Sequence, residues 1–130
     1  MIKEEDALRA YARMLNRLDA DELAPLLAED FRYASQSVFA EIGSKAEYMT
    51  YISGKLASIL SSGQLVRAEM GAVQALGRLR PCVLVAQGDQ EGPVALVLAE
   101  VAGDRVRRLD MCTVVPHPST AVRSGEYPGS

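Results

Sequence analysis

Leu8, Tyr11, Leu15 and Leu18 fall three to four residues apart, the repeat of one helical face. They predict a first helix from about Glu4 to Leu18 that turns Tyr11 inward. Asp19, with Glu22 three residues on, has the form of an N-cap and its N3 carboxylate, and predicts a short second helix carrying Leu23, Leu26 and Leu27 and limited by Pro25. The repeat then changes to two. Phe31, Tyr33, Ser35 and Ser37 share one face of a first strand, and Arg32, Ala34, Gln36 and Val38 the other. The segment from Val38 to Ile42 reads as a short returning strand. Gly43 and the capping box from Ser44 to Glu47 then open a long helix with Tyr48, Tyr51, Ile52, Leu56 and Ile59 at helical spacing, stopped at Gly63.

Beyond Gly63 the pattern is of strands alone, over about 65–76, 78–87, 94–101 and 105–115, with turns at Gly77, 88–92 and Gly103. Links this short predict an antiparallel meander. Val94 to Leu98 is apolar at every position, so both sheet faces are covered there, by helices on one side and by a partner subunit on the other. A homodimer through the outer sheet face is the expectation. Residues 116–130 have no periodicity and read as a C-terminal extension, free or packed on a neighbour, after one domain of residues 1–115. Three helices mostly ahead of, and packed on, a curved, mainly antiparallel mixed sheet make an α+β fold in which the sheet curls around one long helix and encloses a pocket.

Composition narrows the function classes. A chain of 130 residues has room for one core, and 48% hydrophobic with 24% charged residues is a globular balance. A net charge of −3, with arginines interleaved among acids, argues against nucleic acid as a partner. The charged start MIKEEDALRA lacks the apolar centre of a signal peptide and no apolar run reaches membrane length, so a cytoplasmic protein is expected. Cys82 and Cys112 lie on different strands without CxxC spacing and read as reduced core thiols. His117, between Pro116 and Pro118, is the single histidine, which leaves no imidazole cluster for a metal. Neither metal nor cofactor is implied.

Three segments, "YARMLNRLDADELAPLLAEDFRYASQSV", "IGSKAEYMTYISGKL" and "AGDRVRRLDMC", resemble the NTF2-like superfamily over residues 4 to 115. That group of cystatin-like cones includes ketosteroid isomerases, SnoaL-type polyketide cyclases, limonene-epoxide-hydrolase-like enzymes and non-catalytic binding domains. The resemblance implies the fold and fixes no single role. Carried onto this chain, the isomerase pattern places its helix tyrosine at Tyr11, its proton-moving aspartate at Ser35 and its second acid near Val97. Serine cannot shuttle a proton without a base beside it, so isomerisation by that route is disfavoured. The Arg-x-Asp of the epoxide-hydrolase pattern is absent from Val94 to Val101. The SnoaL-type acid of the last strand falls at Asp110.

Asp110 is thus the candidate catalytic residue, as an acid or base of raised pKa inside the cone. Its alternative role is an ion pair with Arg108 or Arg32. It shares a strand face with Arg108 and Cys112, opposite Leu109 and Met111. Tyr11, Tyr33, Ser35, Tyr51 and Cys112 are the candidate ligand contacts, while core packing also accounts for Tyr48 and Tyr51 at helical spacing. Gln36 reaches the pocket only through a bulge, Glu41 reads as solvated near the cone mouth, and Cys112 lacks a base to activate it. With no acid and base paired, the favoured reading is a module that binds a small apolar ligand in the cone. The alternative is a cofactor-free isomerase, cyclase or hydrolase acting through Asp110 on a polyketide-, steroid- or terpenoid-like substrate. A protein-interaction module of the nuclear-transport type rests on fold analogy alone.

Overall fold

The computed structural model describes residues 1–35, 41–75, 77–88, 92–113 and 121–130. The chain opens with α1 (Glu4–Arg17), whose Asp6 carboxylate accepts from the Lys3 backbone N–H at 3.1 Å and whose end is set by Leu18 in the left-handed region, φ 55. The second helix predicted from Asp19 does not form. The Asp19 carboxylate accepts from the N–H of Asp21, two residues on, at 2.9 Å, but only one turn follows, in which the Ala24 N–H donates to the Ala20 carbonyl at 3.0 Å. Pro25 disfavours the helical conformation for the residue before it and carries no N–H. Only the 3-10 turn Ala24–Leu26 remains, and the first strand, β1 (Leu27–Ser35), starts earlier than its apolar alternation indicated.

The long helix, α2 (Lys45–Ser62), begins and ends as predicted. The Ser44 hydroxyl accepts from the Glu47 N–H at 3.1 Å, and Gly63 stops the helix at φ 68. Then come β2 (Val66–Ala75), β3 (Arg78–Gln87), β4 (Ala95–Ala102) and β5 (Arg105–Cys112). Of the predicted return strand, 38–40 lie outside the described residues, as does His117; Ile42 forms a bridge with Tyr33. The sheet order is β1-β5-β4-β3-β2 and then a sixth strand, β6 (Ala121–Arg123). The β1–β5 pair is parallel and the others antiparallel, which is the mixed sheet of a cone. The β3–β4 register runs over Val83 to Val85, and Pro81, two residues before it, has no N–H to give. Arg80 donates from its side chain instead, to the Ala99 carbonyl at 3.2 Å.

The core lies between the inner sheet face and the helices. α1 packs across β2, β3 and β4, whereas α2 leans chiefly on β1. Leu8, Tyr11 and Leu15 meet Ala68, Val83, Val97 and Leu109 there, all at 2% exposure or less. On the outer face Val73, Cys82, Leu84 and Leu96 form a second cluster that is already buried in the single chain. The apolar run of β4 therefore does not by itself call for a partner subunit.

The last ten residues are built into this fold, although their sequence shows no periodicity. β6 pairs with β2 from Gly71 to Val73, and an added Cβ at Gly71 would sit 2.8 Å from the Val122 carbonyl oxygen, so only glycine admits the strand. Glu69, buried on β2, accepts from Arg123 Nε at 2.8 Å, the Gly125 N–H at 2.7 Å and the Tyr127 hydroxyl at 3.2 Å. Asn16 of α1 donates to the carbonyls of Ala68 and Pro128 and accepts from the Ala68 N–H. Helix, sheet edge and C-terminal segment are thereby joined through one amide.

Candidate functional site

Alternation along β1 and β5 decides which candidates can meet. In their parallel register Tyr33 lies beside Leu109, Ala34 beside Asp110 and Ser35 beside Met111. Neighbours across a ladder share a face. Tyr33, Ser35, Leu109 and Met111 thus look toward the helices, while Asp110 and Cys112 look outward. Of the six sequence candidates, Tyr11, Tyr33, Ser35 and Tyr51 come together on the inner side; Asp110 and Cys112 stand across the sheet from them. The expected convergence of Asp110 with the tyrosines inside the cone does not occur, because Leu109 and Met111 take the inward positions.

On the outer face Asp110 is paired. Arg108 Nε lies 3.0 Å from both of its carboxylate oxygens, and Nη1 of the same guanidinium donates to Glu41. Both members are about a third exposed, a setting in which such pairs contribute little to stability. This is the ion pair that the sequence allows as the alternative role of Asp110, and Glu41 takes part in it. A concavity of about 350 Å³ beside the pair is lined by Asp30, Arg32, Glu100, Arg107 and Arg108. Burial first, and then the Asp110 charge, push the Cys112 thiol above its ordinary value, which makes it a poor nucleophile. Burial pushes the Cys82 thiol up to about 11.

On the inner face the aromatic rings of β1 and α2 form one cluster. Tyr48 lies 4.9 Å from Phe31, edge to face, and 5.1 Å from Tyr33, whose ring is 5.4 Å from that of Tyr51. Tyr11 of α1 is fully buried and close enough to Tyr48, Tyr33 and Tyr51 for the ionisation of each to affect the others. The hydroxyls of Tyr11 and Tyr48 are buried without a hydrogen-bond partner among the described residues, whereas that of Tyr33 reaches Met111 Sδ at 3.7 Å. Burial, reinforced by neighbouring phenols, raises the pKa of Tyr11 and Tyr48 well above the ordinary value. Tyr33 is likewise pushed up by burial and Tyr51, and partly drawn back by Ser35. All three are therefore neutral hydrogen-bond donors at any ordinary pH.

Buried carboxylates are scarce. Among the described residues only Glu69 is a buried acid; it lies beside Leu84 on the outer side and is held by the C-terminal segment. Among the same residues no group of three or more histidine, cysteine or acidic side chains is placed to hold a metal ion. Nor is any helix of the described residues long and apolar enough to cross a membrane. Two residues of the inner cluster are not among the candidates the sequence offers: Tyr48, which core packing accounts for, and Lys55. The signal for Lys55 is its spacing, four residues after Tyr51 and three after Ile52, which puts a charge on the apolar stripe of α2.

No family model matches the chain, and no curated protein matches it by sequence. Solved structures of the same architecture do. An NTF2-like protein with a cystatin-like fold from Novosphingobium aromaticivorans superposes with a TM-score of 0.55 at 20% identity, over 89% of this chain and 84% of that one. A proposed polyketide cyclase from Sinorhizobium meliloti gives 0.56 at 14% identity, over 85% and 99%. A proposed ketosteroid isomerase from Kribbella flavida gives 0.53 at 21% identity, over 85% and 77%. The chain has the NTF2-like, cystatin-like fold. At these identities the likeness extends to the fold alone.

Proposed function

We propose that the protein binds a small, largely apolar molecule carrying a hydrogen-bond-accepting oxygen, held by the tyrosines between α1, α2 and the inner sheet face. The observation that carries this reading is the pair of buried hydroxyls of Tyr11 and Tyr48, which have no hydrogen-bond partner among the described residues. A buried donor without an acceptor costs about 1–3 kcal/mol, and phenylalanine would fill the same space without that cost. An acceptor oxygen arriving with a ligand would recover it. α2 is the wall that can give way. It rests mainly on β1, and Ala57, Ser58, Leu60, Ser61 and Ser62 in its last turns are exposed.

Binding is favoured over proton transfer because the tyrosines are neutral donors and the one buried carboxylate among the described residues is engaged elsewhere. The alternative, an isomerase, cyclase or hydrolase using Asp110, has less support, since its acid would have to act from the other side of the sheet. The descriptions of two fold neighbours, a polyketide cyclase and a ketosteroid isomerase, are compatible with an apolar, carbonyl-bearing ligand.

The test is a fluorescence titration with 2-acetylnaphthalene and its carbonyl-free counterpart 2-ethylnaphthalene. The ketone is expected to bind more tightly. Replacing both Tyr11 and Tyr48 by phenylalanine is expected to weaken the ketone about tenfold and leave the hydrocarbon unchanged. Equal binding of the two probes to the natural sequence, or binding of neither, overturns the proposal.

A further inference from the structure

Lys55 projects from α2 on the same stripe as Tyr51 and Ile52, and it is half-buried. A lysine in that position ordinarily lays its methylenes along the apolar surface and lifts its ammonium into water. Here Nζ is instead 4.0 Å from Met111 Sδ, on the inner sheet face. Met111 is only 7% exposed, and its sulfur also receives the Tyr33 hydroxyl at 3.7 Å. Ser35 is the β1 neighbour of Met111 in the ladder. A thioether is a weak acceptor for an ammonium ion. Among the described residues no carboxylate pairs with Lys55, although Arg9, Arg13, Arg108 and Arg123 each have one.

The groups at that sulfur are a full positive charge and the Tyr33 phenol. The Tyr48 ring, whose hydroxyl has no partner among the described residues, lies 5.1 Å from that of Tyr33. Lys55 thus brings a full charge to the edge of this cluster from α2. An anionic oxygen group would accept from both Lys55 and Tyr33, and a charge-assisted hydrogen bond is the strongest single contact such a site can form. Two planar oxygens match two donors that converge on one atom.

We propose that Lys55 is the anchor for a carboxylate, so that the molecule held in the tyrosine cluster is an organic acid with an apolar body. This rests on the ligand-binding reading above and adds the charge of the ligand and the residue that selects for it. Tyr33 is the second donor to that carboxylate.

The experiment compares 2-naphthoate with 2-acetylnaphthalene at pH 7, in the natural sequence and in Lys55→Met and Lys55→Arg. The natural sequence is expected to bind the carboxylate about tenfold or more tightly than the ketone. Lys55→Met removes that preference by weakening 2-naphthoate about tenfold more than 2-acetylnaphthalene, and Lys55→Arg keeps it. Should Lys55→Met fail to fold, Lys55→Gln serves in its place. Ketone binding without any carboxylate preference overturns this inference and leaves the ligand-binding proposal standing; binding of neither probe overturns both. A carboxylate preference that survives in Lys55→Met also overturns it.

Discussion

Replacing Tyr11 by phenylalanine should make the ligand-free protein more stable. The Tyr11 ring is fully buried, with its hydroxyl stripped of water and given no acceptor among the described residues. Such a group costs about 1–3 kcal/mol relative to its hydrated state in the unfolded chain. The substitution keeps the ring and its contacts and removes only the oxygen. The void left is smaller than a methyl group and costs less than about 1 kcal/mol. The net gain is about 0.5–2 kcal/mol. With an unfolding entropy of roughly 2.1 cal/mol/K per residue over 130 residues, each kcal/mol moves the midpoint by about 4 °C, so calorimetry should show a rise of about 2–8 °C. Tyr48→Phe should behave alike, while Tyr33→Phe, which gives up the contact with Met111 Sδ, should not gain. A loss of about 1 kcal/mol or more on Tyr11→Phe in ligand-free protein would refute the argument, since it would mean that the hydroxyl is satisfied in the native state.

Asp110→Asn should change stability by less than about 1 kcal/mol in urea titrations, as expected for a partly exposed pair, and leave naphthyl-probe affinity unchanged. Glu69→Ala deprives Arg123, Gly125 and Tyr127 of their shared acceptor and should cost about 2–3 kcal/mol, measured by urea denaturation. Gly71→Ala drives a Cβ toward the Val122 carbonyl and should cost about 1–3 kcal/mol, with amide exchange accelerated first at residues 121–126. Stability should fall as pH rises from 9 to about 11. The Cys82 thiol, pushed up to about 11 by burial, stays protonated in the folded chain over that window and ionises in the unfolded one, and the buried phenols act in the same direction. Cys82→Ala should flatten part of that slope in urea titrations across the window.

Legibility in the sequence followed the range of the forces involved. Ser44, Glu47 and Gly63 act on their own helix, and α2 was predicted almost to the residue. The alternation of Phe31, Tyr33 and Ser35 correctly sorted buried from exposed positions on β1. The helix drawn from Asp19 failed because an aspartate can close a turn as readily as cap a helix, and Pro25 arbitrated between them. β6 gave no signal because three residues carry no period, and what holds it is Glu69, some fifty positions earlier. Asp110 was grouped correctly with Arg108 and Cys112. The grouping alone could not set that face against Tyr33, which depends on the β1–β5 register. Leu109 and Met111 were the available clue, since the apolar members of an alternating strand claim the core.

The parallel pairing of β1 with β5 also sets the order in which the protein can mature. The β2–β3 and β4–β5 hairpins join neighbours in the chain and close short loops. Tyr33 and Met111 are 78 positions apart, and their meeting closes a far longer loop than either hairpin does. The tyrosine cluster is therefore expected to close late in folding, after the hairpins that frame it. On this order a chain has its hairpins before Tyr33 meets Met111, and a probe of that contact reports on a later step of folding than the presence of the meander does.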